Sequence, residues 1–526
     1  MKQASRLIAA TVGGSLLLAG CGEAPEESSA SDTEDFGMAI ELDENYDPNG
    51  HFDWGYTSFA STWDPIKSIN GSDQNFYEPV YDRLLFEDVD GVIHPMLAEE
   101  FTPSDDGKTL TLKLRENLKF SDGAAFNAEA VKFNLDRARG EESKINGELY
   151  QVEDVEIVDE YTVDVHLSGS IGSLPVALAN RAGIMVSPEA AKAGLLDTEP
   201  VGIGPYVTSE IVPGSNASYE KTPDYWDPDA QRVATMTYYY MVEDQTRINA
   251  LKSGEVDGAR INPDEMDVAA DGGATPIVQP SSLFLYFMVS TAIEPFDNPE
   301  VRRAINMAID REAISQGMYD GYCTPQIQPF PESSPGYSEK LGDGLDEFPY
   351  DPEAAKQILE EEGITEPIDI ATAAPNVTIY TKFAEVIQDQ LGEIGINIEI
   401  HALPPAEQVQ EFAIDKVTET FTSVSTGIND PDVVNSRYVA PDSLFNAGST
   451  EYPDLQKYGI EGASTLDPTE RKPAYEKYMD AWVESPPHLI PVCTIHMASA
   501  YNSNVSGVGQ KANGYPDLRG VAVAKE

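Results

Sequence analysis

The chain has 526 residues, enough for about three domains, and carries 34 basic side chains against 90 acidic ones. A formal net charge of −56 excludes a nucleic-acid partner, because phosphate binding needs clustered Lys and Arg. Three cysteines and six histidines exclude a disulfide-stapled scaffold and a multi-cysteine metal domain, so neither metal nor cofactor is expected.

In chain order, Lys2 and Arg6 precede an uncharged apolar run over residues 7–19. That run suits a secretory signal and is too short to span a bilayer. Leu18-Ala19-Gly20-Cys21 resembles the lipobox of bacterial lipoproteins. The resemblance implies a signal peptide over 1–20 and a diacylglyceryl group on Cys21. Residues 22–35 carry six acids, no bases and few apolar side chains, so 21–45 reads as an acidic tether. The folded body is then expected on the outer face of a cell membrane, at a Gram-positive surface or in a periplasm. The remaining acids are spread along the whole chain, which reads as surface solubility before it reads as a trap for a cation.

Leu110, Leu112 and Leu114 alternate with polar residues, predicting a strand over 109–115. Asn127 is placed to cap a helix whose Ala128, Val131, Leu135 and Ala138 share one face. Asn298-Pro299-Glu300 and Asp351-Pro352-Glu353 are two further helix starts, and Gly363 stops the second. A helix over 378–394 buries Phe383, Val386, Ile387, Leu391 and Ile394; Gly395 ends it before Ile396, Ile398 and Ile400 alternate as a strand. Tyr475, Tyr478, Met479 and Trp482 form a last apolar stripe, read as core. The class is mixed α/β.

The chain has no phosphate-binding loop, zinc helix or Gly-x-Ser-x-Gly elbow, and no activated nucleophile, so no enzyme is expected. Cys323 and Cys493 read as a disulfide or as two buried thiols, since sequence cannot place their backbones.

Ordered blocks over about 450 residues resemble the extracytoplasmic solute-binding proteins of the peptide/nickel class, family 5. They include Trp63-Asp64-Pro65, the run GKTLTLKLRENLKFSDG at 107–123, FNAEAVKFNLDRA at 126–138, VGIGPY at 201–206, TRINALKSGEVD at 246–257, PFDNPEVRRAINMAIDREAI at 295–314 and YDPEAAKQILEEEGI at 350–364. The resemblance implies a periplasmic-binding-protein-like II fold with two hinged α/β lobes and an inserted domain. Carried over, lobe I holds 46–75, 170–280 and 498–526, the inserted domain 76–169, and lobe II 281–497. Gly202 and Gly204 are read as residues of a tight turn.

That resemblance further implies a monomeric receptor handing a solute to an ABC permease. Peptide-carrying members place a Trp and an amine-binding Asp ahead of an acid-Pro pair in lobe II. Counting back from Pro431, those positions hold Val424 and Gly427. An amine without its counter-charge loses a bond of about 1.5–3 kcal/mol, roughly 10–100-fold in affinity, which counts against a generic α-peptide carrier. Asp430 and Asp432 are alternative amine partners, with Asp430-Pro431 read first as a turn. Residues expected around the cleft are Phe59, Ser61, Arg181, Tyr286, Ser425, Thr426, Gly427, Ile428, Asn429 and His496. Arg181 is read as a carboxylate holder or an interdomain ion pair, and Tyr286 and His496 as lining or core. A modified peptide, an oligosaccharide, an opine-like conjugate and a nickel chelate all stay open as solutes. A surface signalling or adhesion role on the same scaffold is the alternative function.

Overall fold

The computed structural model describes residues 36–68, 71–425 and 430–525; Cys21 and Thr426, Gly427, Ile428 and Asn429 lie outside them. Local signals act where the sequence places them. The Asn127 side chain accepts a hydrogen bond from the Ala130 amide at 3.1 Å and opens helix Ala128–Ala138. Asn298 and Asp351 cap Pro299–Ala308 and Pro352–Glu361 likewise, with proline in the first turn, where no amide hydrogen is needed. Gly363 and Gly395 take φ values of +84° and +86°, left-handed conformations that end Pro352–Glu361 and Thr378–Glu393. Neither Gly202 nor Gly204 has a left-handed φ. A Cβ on Gly204 would stand 2.4 Å from the Val80 carbonyl carbon and 2.6 Å from the Tyr81 nitrogen, so close backbone packing requires the glycine.

Eleven of the described strands make one sheet. Its order is Ile396–Leu403, Ile368–Pro375, Thr420–Val424, Thr275–Val289, Leu489–Tyr501, Gly258–Ile261, His51–Tyr56, Thr235–Tyr240, Asn216–Lys221 and Tyr206–Val212, with Cys323–Pro325 beside Leu489–Tyr501. Parallel pairs occur at both ends and helices connect them, the arrangement expected of α/β lobes. A separate antiparallel sheet orders Ala98–Pro103, Thr109–Leu114, Thr162–Leu167 and Val152–Asp159.

The two long strands Thr275–Val289 and Leu489–Tyr501 join the halves of the large sheet. Ile277 and Tyr501 pack with Trp54 and Tyr238 in one core, whereas Leu285, Phe287, Ile490 and Val492 pack with Ile305, Phe383 and Leu391 in another. Between those stretches the pairing register shifts at Pro280–Phe284. The Ser281 hydroxyl bonds the Ile495 carbonyl there at 2.7 Å. A third core fills the smaller sheet with Leu110, Leu112, Val163 and Val165 against Val131 and Leu135. Tyr286, Phe421, Tyr438, Tyr475, Tyr478 and Trp482 belong to a fourth. Cys323 and Cys493 form a disulfide between two neighbouring strands, with Cα atoms 5.4 Å apart.

Candidate functional site

A cleft of about 1490 Å³ opens between segments far apart in sequence. Tyr56, Gln74, Glu148, Tyr150, Ser173, Arg181, Arg260 and Tyr515 line one side, and Tyr380, Asp432, Arg437, Phe445 and Ile460 the other, with Leu283 and Met497 from the two joining strands. Five basic residues face it (Lys108, Lys144, Arg181, Arg260, Arg437) against four acidic ones (Asp106, Glu148, Asp432, Asp442). In a chain with 34 basic and 90 acidic residues, that wall reverses the surrounding charge balance.

Asp432 ties the two sides together. Its Oδ2 accepts hydrogen bonds from the hydroxyls of Tyr150 at 2.8 Å, Ser173 at 3.0 Å and Ser170 at 3.3 Å, residues 259–282 positions earlier. The Gly172 amide adds a bond to the Ala463 carbonyl at 2.9 Å. Burial, with Asp430 close by, pushes the Asp432 pKa above the usual carboxylate value. Asp430 does other work: Oδ1 accepts from the Asp432 amide at 2.9 Å, and its two oxygens meet the Arg471 guanidinium at 2.8 Å each. That buried pair fixes the start of helix Pro431–Val434, in agreement with the turn reading.

Arg181 lines the cleft with its charge already met. Its Nε lies 3.0 Å from Glu148 Oε1, its Nη2 bonds the same oxygen, and its Nη1 donates to the Ser68 carbonyl at 3.3 Å. Burial presses the Arg181 pKa down, the Glu148 carboxylate raises it, and the net direction is upward. Arg260 and Arg437 differ. Arg437 is exposed and lies over the Phe445 ring at 5.0 Å. Arg260 is half-buried and bonds carbonyls and a thioether in place of a carboxylate.

Five other expected site residues stand away from the cleft lining. Phe59 packs on Phe76, with ring centroids 4.9 Å apart, and the Ser61 hydroxyl donates to Asp73 at 2.6 Å. Tyr286 is buried against Phe421 and Tyr438, because alternation along its strand turns it into the aromatic core. The Ser425 hydroxyl is buried between the Phe284 amide at 2.9 Å and the Ser282 carbonyl. His496 meets Thr324 at 2.7 Å beside Tyr322, and burial pushes its pKa down to about 4. Sequence reading missed Tyr56, Arg260, Tyr380, Arg437 and Tyr515, which carry no local motif; the pairing of distant strands brings them together.

Residues 92–443 match the model for the bacterial extracellular solute-binding proteins, family 5 middle region. The glutathione-binding protein GsiB of Salmonella typhi is 30% identical over 464 residues, 85% of this chain and 89% of that protein. The chain belongs to family 5. A family 5 solute-binding protein serves an ABC importer: it binds a small ligand or peptide outside the cytoplasm and delivers it to a permease. AgaA from A. tumefaciens, solved with agropinic acid, superposes with a TM-score of 0.77 at 25% identity, covering 91% of this chain and 99% of its own. DppA from Helicobacter pylori, solved with the peptide STSA, gives 0.74 at 22% identity over 91% and 98%. The fold is therefore periplasmic-binding-protein-like type II, mixed α/β. Among the described residues no helix is long and apolar enough to cross a membrane.

Proposed function

We propose that this family 5 protein captures a small, discrete solute by closing its two lobes around the cleft, and presents that closed form to its permease without altering the solute covalently. The three hydroxyl bonds to Asp432 carry the reading, since they link opposite walls of the cleft. We retain the sequence partition into lobe I, inserted domain and lobe II, and place the monomeric body at the membrane through lipid on Cys21.

A discrete metabolite is favoured over mixed peptides because Gly427 stands where an amine-binding carboxylate would. GsiB is named for glutathione and AgaA was solved with agropinic acid, both small compounds. Native mass spectrometry of the chain purified without denaturant tests this. A single adduct is expected; a ladder spaced by amino-acid masses would replace the reading with peptide carriage, and conversion of the bound compound would reveal an enzyme. Labelled lipid that still attaches to the Cys21→Ser variant would remove the anchor.

A further inference from the structure

We propose that Arg260 is the specificity-determining residue of this cleft and that it takes an anionic group of the solute, a carboxylate or a phosphate. The inference rests on the solute-capture reading above and names what that site selects.

Arg260 sits on strand Gly258–Ile261, which pairs with both His51–Tyr56 and Leu489–Tyr501 and is therefore held rigidly at the floor of the cleft. Its Nη1 is spent on the carbonyls of Ile261, at 3.0 Å, and Ala498. One Nη2 hydrogen meets the Met497 sulfur at 2.9 Å. Among the described residues, Nε–H and the second Nη2 hydrogen have no protein acceptor. Nε and Nη2 lie along the side-on edge of the guanidinium, where Nε–H is free to meet one oxygen of a carboxylate or phosphate.

The comparison with other arginines sharpens the point. Arg247, Arg471 and Arg519 each face an aspartate. Arg302 and Arg311 also meet carbonyls, but both are fully buried away from the cleft; Arg302 spends three N–H donors there and Arg311 uses Nε, Nη1 and Nη2. Arg437 also lines the cleft without a carboxylate partner, but it is exposed and lies over Phe445, whereas Arg260 is half-buried with its Nε–H unspent. Burial lowers its pKa from the usual arginine value, the mark of a desolvated cation without a full counter-charge. Tyr56 and Tyr380 stand beside it, so an arriving anion meets a wall of aromatic hydroxyls and one fixed charge. The reversed charge balance of the wall points the same way, independently of any single residue.

The test compares each acid with its neutral ester on the full mature chain. Glutathione and its dimethyl ester, Ala-Ala and its methyl ester, and lactose as an uncharged control are titrated by calorimetry. The expected result is that an acid binds about 10–100-fold more tightly than its ester. Arg260→Met should erase that ratio and Arg260→Lys keep part of it, with thermal melts showing that both variants fold. Equal binding of acid and ester by the unaltered protein overturns the proposal without any variant. Survival of the preference in Arg260→Met, or binding of lactose alone, overturns it too. If no probe binds, the inference falls for small acids, while the capture reading is judged separately by the mass of what co-purifies with the protein.

Discussion

Removing the Asp432 carboxylate should loosen the closed form by a calculable amount. Tyr150 and Ser173 donate at 2.8 and 3.0 Å, while Ser170, at 3.3 Å, adds little. A hydrogen bond to a charged acceptor contributes about 1.5–3 kcal/mol. The donors regain water when the lobes part, so the lower figure applies and two bonds give about 3 kcal/mol. Burial and the neighbouring Asp430 oppose the charge, as the raised pKa records, so that figure is an upper bound. The loss is at most about 3 kcal/mol, a fall of up to about 150-fold in the closed-to-open ratio. Stopped-flow release of the co-purified solute should accelerate in Asp432→Ala by a comparable factor, and small-angle scattering should show a larger radius of gyration. Asp432→Asn keeps an accepting oxygen without the charge and should fall between. Unchanged release and radius in a variant that melts normally would refute the clasp.

Other consequences are as direct. Glu87 is pushed up to about 6, first by burial, so its ionisation costs the fold about 2 kcal/mol. The native state holds this proton more tightly, and stability is lost as pH rises from about 4.5 to 6; Glu87→Gln should therefore raise the melting temperature at pH 8 but not at pH 4, and a pH-independent gain would exclude this cause. Opening the Cys323–Cys493 bond frees a span of 170 residues, which chain entropy values at up to about 5 kcal/mol, so the double Ser variant should lose 2–5 kcal/mol in guanidinium titrations. Gly204→Ala drives a Cβ into the Val80–Tyr81 backbone and should cost about 3 kcal/mol or more, read by the same titration.

Much of the scaffold was legible because its signals are local. The Asn127, Asn298 and Asp351 caps, the glycine stops at 363 and 395, and the alternation of Leu110, Leu112 and Leu114 each need only a few neighbouring residues. Tyr475, Tyr478, Met479 and Trp482 are core, as their helical spacing implies. The cleft was less legible because position along a segment does not tell which face of a strand looks into it. Tyr286 and Arg260 both sit on strands near the joining region, yet one turns into an aromatic core and the other to the cleft. Asp432 is one of the amine partners that the sequence offers, and its bonds run to Tyr150 and the serines near 170, a contact set by how two remote segments meet. Arg181 lines the cleft, and its pairing with Glu148 follows the ion-pair alternative.

The first described strand lies beside the C-terminal segment. Ala39–Ile40 pairs with Val508–Gln510, the Asp47 amide bonds the Val523 carbonyl at 2.8 Å, and Tyr46 bridges to Ala524. A ribosome adding about 5–20 residues per second needs roughly 25–90 s to cover that separation, so the opening segment waits unpaired through nearly the whole of synthesis. The sheet that Ala39–Ile40 joins is thus among the last parts to be completed. A premature stop or a proteolytic clip within the final twenty residues would strike the beginning of the chain as hard as its end.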